Sequence, residues 1–219
     1  MAKSHGSQHH LVLTSNLPRQ GNTEVARHLI ERASVKSLTW TSARPNEGVR
    51  REARDDFKSL GFREVVQLSL ADKFPSQSDI TSAAYLSGGD PIEFREALIA
   101  STFDNWLTGA YQAGRVLLGA SGGAMQFTSN VSLFRLIELD LDSVLEQRAN
   151  YRGLGLVPFE ILPHFERHSP EFIEKVRRYS ERVNNDIWCL PDGSAIAVVG
   201  NGQAVPIGNP KRLVAGVFT

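Results

Sequence analysis

Short apolar runs alternate with amphipathic stretches along this chain, the order expected when helices cover both faces of a mostly parallel sheet. Leu11 to Thr14 reads as the first strand, Ser37 to Thr41 as the second, Val65 to Leu68 as the third, and Ile80 with Ala83 to Leu86 as the fourth. The loop SNLPRQGN leads to a helix near Thr23 to Ser34, where Val25, Leu29 and Ile30 recur at helical spacing. Asn46 to Leu60 reads as a polar helix with Gly61 just past its end. The fourth strand breaks at Ser87, Gly88, Gly89 and Asp90 before a helix carrying Phe94, Leu98 and Ile99. Val116, Leu117 and Leu118 then suit a strand buried on both faces, and Ala124, Met125 and Phe127 start a packed helix.

The second half is less regular. Ser132 to Leu139 reads as a strand edge, Leu141 to Arg148 as a short helix, and Gly153 to Leu156 as a turn feeding another strand. Glu171 to Val183 is a charged helix, and IWCLPDGSAIAVVGNGQAVPIG reads as antiparallel strands joined by Asp192-Gly193 and Asn201-Gly202 turns. No repeat, low-complexity tract or linker divides the chain, so one domain over 1–219 is the economical reading. The expected class is α/β, a layered, mostly parallel sheet with helices on both faces.

Composition narrows the partners. The 219 residues are 41% hydrophobic, enough for one sizeable core. Lys+Arg and Asp+Glu number 24 each, so no net charge draws the protein to nucleic acid or an anionic membrane. Cys189 is the one cysteine and cannot form an internal disulfide. No apolar stretch is long enough to span a bilayer. MAKSHGSQHH followed by LVLTS lacks a secretory apolar region and cleavage site, so a cytoplasmic location is expected.

The densest chemistry lies in RVLLGASGGAM, where Gly119, Ser121 and Gly123 fit G-x-S-x-G. In that pattern a strand stops abruptly, the backbone turns through a strained conformation and a helix begins, which makes Ser121 a candidate nucleophile on a nucleophile elbow. The first amides of the following helix, starting with Gly122, lack intrahelical acceptors and point toward where a tetrahedral oxyanion would form. An ordinary turn in which Ser121 merely caps the helix gives the same pattern.

A serine hydroxyl needs a base within hydrogen-bond reach, and the base needs an orienting acceptor. Of the six histidines, His5, His9 and His10 lie in the N-terminal segment before the first strand, and His28 sits mid-helix among charged neighbours. His164 follows Pro163 at the end of the apolar stretch FEILPHF, where a sheet would deliver it to its carboxyl edge. His168 lies four residues further on in a polar segment. For the acid, Asp192 sits between two short apolar strands and can reach the same edge, although Asp-Gly is also a hairpin signal. Spacing alone leaves Glu160, Glu166 and Asp140 open as alternatives. No histidine pair has metal-ligand spacing such as HExxH, and no metal or organic cofactor is expected.

The set YLSGGD, GASGGAM, LPHF and LPDGSAIAVVGNGQAV, in this order, resembles peptidase family S51, the group containing peptidase E and cyanophycinase. The similarity runs from the first strand nearly to the C-terminus. It implies a fold like the class I glutamine amidotransferases, a flavodoxin-like layered sheet. It also implies Ser121 as nucleophile, His164 as base, and Asp192 at the position where peptidase E has the glutamate of LPEG. The Gly88 and Gly89 pair matches the family's glycine turn, whose amide would form an oxyanion hole with that of Gly122.

Two departures stand out. The family's elbow usually reads SAG, whereas this chain has Ser121, Gly122 and Gly123. Peptidase E recognises an N-terminal aspartate partly through an arginine after the histidine, and HSPEFIEKVRRYSERV offers only Arg177, Arg178 and Arg182, which read as a solvated helix face. The chain is also shorter than cyanophycinases, which disfavours a polymer substrate. The expected activity is thus a serine exopeptidase, a dipeptidase of peptidase E type acting on short peptides, with N-terminal aspartate as the implied preference. The alternatives are another serine acyl hydrolase, an amidase or esterase, or an inactive binding module on the same fold. The expected partner is a short peptide, with neither nucleic acid nor membrane, and a homodimer is allowed.

Overall fold

The computed structural model describes residues 9–16, 37–42, 54–55, 57–58, 62–70, 83–200 and 202–219. The helix expected over Thr23 to Ser34, most of that over Asn46 to Leu60, and Gly61, Ile80, Asn201, His5 and His28 lie outside them. The strands in chain order are β1 (His9–Thr14), β2 (Ser37–Ser42), β3 (Glu64–Ser69), β4 (Ala83–Leu86), β5 (Val116–Ala120) and β6 (Glu160–Pro163). Next come β7 (Ile187–Leu190), β8 (Ala195–Gly200), β9 (Gln203–Ile207), β10 (Lys211–Val214) and β11 (Val217–Phe218). The helices are α1 (Pro91–Ser101), α2 (Phe103–Gln112), α3 (Gly122–Met125), α4 (Leu141–Gln147) and α5 (Pro170–Val183).

Seven strands form the larger sheet in the order β3-β2-β4-β5-β1-β8-β9. The first five run parallel, and β8 and β9 close one side antiparallel. Side chains alternate across a strand, so this sheet is apolar on both faces. Leu11, Leu13, Leu117, Ile196 and Val198 join one core with Phe94 and Leu98 of α1 and Phe103, Trp106 and Leu107 of α2. Val12, Val116, Leu118, Ala195 and Ala197 face a second core with Trp40, Phe57, Phe62 and Tyr85. The five strands read from the apolar runs are present as β1 to β5, and β1 begins two residues earlier than expected, with His9 and His10 in its backbone ladder.

Four differences have local causes. Phe103–Gln112 forms a helix that periodicity missed, because Thr102 turns left-handed (φ 59°) and separates it from α1. Ser132–Ile137 is a 3-10 helix, not a strand edge, since the Asn130 side chain accepts from the Ser132 amide at 2.8 Å and starts a tight turn. The helix after Ser121 is one turn long. Gln126 ends it, its side-chain amide donating to the carbonyls of Gly122 and Pro91 at 3.0 and 2.9 Å.

The fourth difference matters most. Asp192-Gly193 closes no hairpin, because β7 belongs to a separate four-stranded sheet of order β11-β10-β7-β6, whereas β8 lies in the large one. The turn is therefore a crossover between sheets. The expected hairpin signal at Asn201-Gly202 does join an antiparallel pair, β8 and β9.

Candidate active site

Ser121 stands one residue beyond the end of β5. Thr14 of β1 and Ala120 of β5 are paired in register, and the Ser121 amide donates to the Thr14 carbonyl at 2.9 Å, which fixes where the strand stops. The next residues cannot continue the strand, because the loop after β4 presses against them. A Cβ on Gly122 would lie 2.0 Å from the Gly89 carbonyl oxygen, and one on Gly123 would lie 2.2 Å from that of Ser87. Ser121 itself takes φ 50°, ψ −123°, a region costly for a side-chain-bearing residue by about 1–3 kcal/mol. Such strain persists only where the surroundings enforce it.

The smaller sheet supplies the imidazole. β6 and β7 are parallel with Pro163 opposite Leu190, so His164 leaves one strand end as Asp192 leaves the next, two residues on. His164 is also left-handed (φ 55°, ψ 38°), and its backbone N–H donates to Ser15 Oγ at 2.8 Å. Its Nδ1 lies 2.6 Å from Asp192 Oδ1 and its Nε2 lies 3.0 Å from Ser121 Oγ. A carboxylate can only accept, so the Nδ1 proton points to Asp192 and the Nε2 lone pair is left for the serine hydroxyl proton.

Asp192 is held from several sides. Ser15 Oγ donates to Oδ1 at 3.0 Å, Arg167 donates to Oδ2, and the Glu166 carboxylate accepts from the Asp192 amide at 3.0 and 3.1 Å. Asn16 Oδ1 accepts from the Gly193 amide at 3.1 Å, tying the crossover to the end of β1. Partial burial would raise the Asp192 pKa, but hydrogen bonds from His164 and Ser15, the attraction of His164 and the Arg167 hydrogen bond outweigh it. The carboxyl is held below its ordinary 3.8 and stays ionised at neutral pH.

The structure therefore brings Ser121, His164 and Asp192 into one hydrogen-bonded line and packs the glycines around it. A Cβ on Gly88 would sit 3.4 Å from that of Ser121, while Gly89 and Gly122 line the cleft beside it. The alternative acids are elsewhere or otherwise engaged. Glu160 is fully buried with Arg148 Nη2 at 2.6 Å, Asp140 caps α4 through the Ser143 amide, and Glu166 holds the Asp192 backbone. Burial pushes the Glu160 carboxyl above its usual range, although Arg148 pulls it back. Arg177 and Arg178 pair with Glu174 on α5, and Arg182 with Asp142.

Glu166, open from spacing alone as the acid, holds the Asp192 backbone instead, while Ser15, Asn16 and Arg167 escaped sequence reasoning. Their only signal was position, immediately after β1 and around His164, at the carboxyl edges from which α/β sheets present ligand groups.

The cleft beside Ser121 opens to solvent, with roughly 370 Å³ of empty space counting its open mouth. Its walls include Met125, Leu133, Phe134, Leu162 and Phe172, together with His164 and His168. Among the described residues no group of three His, Cys, Asp or Glu side chains is placed to hold a metal ion. Nor is any helix among them long and apolar enough to cross a membrane.

The family model for Peptidase family S51 matches residues 21–205. An uncharacterized peptidase from Pasteurella multocida (strain Pm70) is 24% identical over 172 residues, covering 75% of this chain and 76% of the relative. Among solved structures, a protein from Listeria monocytogenes EGD-e named for peptidase E superposes with a TM-score of 0.67 at 19% identity, over 92% of this chain and 99% of that one. A peptidase from an acI-B1 Actinobacterium gives 0.72 at 19% identity, over 98% and 94%. At that identity the likeness establishes a shared mixed α/β fold built on a large multi-stranded sheet.

Proposed function

Because the chain belongs to peptidase family S51, we propose that it is a serine peptidase in which Ser121 is the nucleophile, His164 the general base and acid, and Asp192 the orienting carboxylate. The observation that carries this reading is the continuous line from Ser121 Oγ through both imidazole nitrogens to Asp192 Oδ1, at 3.0 and 2.6 Å. The turn at Ser121 serves as a nucleophile elbow, and the sheet as a variant of the flavodoxin-like, class I glutamine amidotransferase-like architecture.

His164 Nε2 takes the Ser121 proton as Oγ bonds to the scissile carbonyl carbon, and the charge on the carbonyl oxygen meets the amides of Gly89 and Gly122. The C–N bond then breaks as Nε2 returns the proton to the leaving amine. Water attacks the resulting ester, gives its proton to Nε2, and the C–Oγ bond breaks as Ser121 is reprotonated. Asp192 keeps the Nδ1 proton in place throughout and balances the imidazolium. The substrate is a short peptide with a free amino end, cleaved in exopeptidase fashion as by a dipeptidase in the cytoplasm. No Lys or Arg among the described residues lines the cleft, so nothing in that lining supports a preference for N-terminal aspartate.

The test is hydrolysis of X-Leu dipeptides with free and acetylated amino ends. Release of leucine from free dipeptides only, lost by at least about 10³-fold in Ser121→Ala, is the expected result. Cleavage that survives Ser121→Ala, or of esters alone, contradicts it.

A further inference from the structure

The cleft's walls bear on the substrate's side chain, and this inference rests on the serine peptidase reading above. Met125 comes from α3, directly after the Ser121 turn, Leu133 and Phe134 from the 3-10 helix, Leu162 from β6 and Phe172 from α5. These side chains line the same cleft as Ser121, Gly89 and Gly122, and Met125 follows the Ser121 turn by four residues, so an apolar wall borders the place where an acyl carbonyl would sit.

Among the described residues, the cations on the neighbouring segments already have partners. Arg167 donates to Asp192, Lys175 Nζ donates to the Leu136 carbonyl at 3.2 Å, and Arg177 and Arg178 are held by Glu174. His168, the one other polar side chain among the described residues of the lining, directs Nε2 to the Pro163 carbonyl at 3.0 Å and stacks on Phe172 with ring centroids 4.7 Å apart. A carbonyl only accepts, so that nitrogen carries a proton already spoken for. Burial lowers the His168 pKa, more than Pro163 and Glu166 raise it, and the ring is neutral at neutral pH. A carboxylate entering this cleft would lose its hydration without gaining a cation from the described residues that line it, whereas an aliphatic or aromatic side chain would bury its surface against matching walls.

We infer that this cleft selects a neutral apolar side chain on the acyl side of the scissile bond, such as that of Leu, Met or Phe, and rejects Asp. Phe134, half-buried at the wall, is a specificity-determining residue for that choice.

The experiment compares the rate at which Ser121 is labelled by diphenyl phosphonate analogues of Leu, Phe and Asp, beside a plain fluorophosphonate with no amino-acid side chain. The expected result is labelling by the plain probe and a rate for the Leu and Phe analogues at least about 10²-fold above Asp. Phe134→Arg, which places a cation at the wall, should shrink that ratio by about tenfold or more, each rate being taken relative to the plain probe on the same variant. Labelling by the plain probe with Asp equal to or faster than Leu overturns the inference and leaves the serine reading standing. No labelling by the plain probe overturns both. An unchanged ratio in Phe134→Arg overturns this cleft as the selecting surface, as does selectivity seen only when the leaving group of a peptide substrate is varied.

Discussion

Asp192 has one carboxylate oxygen on the imidazole and the other on Arg167, and both contacts favour the ionised form. Asp192→Asn keeps the shape but lets the amide donate to Nδ1, which turns the imidazole to the wrong tautomer, so kcat should fall by about 10⁴-fold with the fold intact by circular dichroism. The same group gives a pH signature. Its folded pKa lies below the ordinary 3.8, so its stabilising contribution is complete above that value and is lost as pH falls through the lower, folded one. The Tm gap between wild type and Asp192→Asn should therefore be widest near neutral pH and close only below 3.8. Ser15 acts one step back, accepting from the His164 backbone at 2.8 Å while donating to Asp192 at 3.0 Å. Ser15→Ala should lower kcat by about 10²-fold or less with KM nearly unchanged, because it loosens the positioning of His164 rather than removing a reacting group. Steady-state kinetics on both variants separates these effects. Ser121, His164 and Asp192 were legible because each sits beside a strand whose apolar run ends abruptly. Ser15 was not, since Thr-Ser-Asn after a strand reads like any polar loop.

The turn after β5 shows how elements set the site. Gly123 packs so close that an added Cβ would lie 2.2 Å from the Ser87 carbonyl oxygen and 2.4 Å from that of Leu86, whereas one on Gly109 in α2 meets nothing within 4 Å. Gly123→Ala should thus destabilise by about 1–3 kcal/mol through overpacking. Gly109→Ala should stabilise by about 0.5–1 kcal/mol through chain entropy and helix propensity. Thermal unfolding of the pair distinguishes a steric requirement from a general intolerance of alanine. Strands with strict apolar runs were readable in the sequence, and so was α5 from Glu171 onward, to which the structure adds Pro170 at the first turn and Ser169 as the cap. The break at Thr102 was not, because a non-glycine residue in a left-handed conformation leaves no residue-type signal.

At the scale of the whole molecule, the site exists because two sheets end at one place. β1 and β5 of the large sheet deliver Ser15 and Ser121, β6 of the small sheet delivers His164, and the β7–β8 crossover carries Asp192 between them. The sequence hid this arrangement, since Asp-Gly between apolar strands obeys hairpin chemistry locally, and pairing with β6 on one side and β10 on the other draws β7 away from β8. The small sheet is anchored by Glu160, wholly buried at the start of β6, with Arg148 Nη2 at 2.6 Å and Tyr179 Oη at 3.0 Å. Removing Arg148 strands that carboxylate, so Arg148→Ala should cost about 3–5 kcal/mol in denaturant unfolding, more than Glu160→Gln, which leaves no buried charge on β6. The central claim is that this convergence activates one hydroxyl, and peptide mass mapping after fluorophosphonate treatment of wild type and His164→Ala tests it most directly. The account predicts a single adduct, on Ser121, formed at least about 10³-fold more slowly without the imidazole. An adduct on another residue, or equal labelling of both proteins, would contradict it.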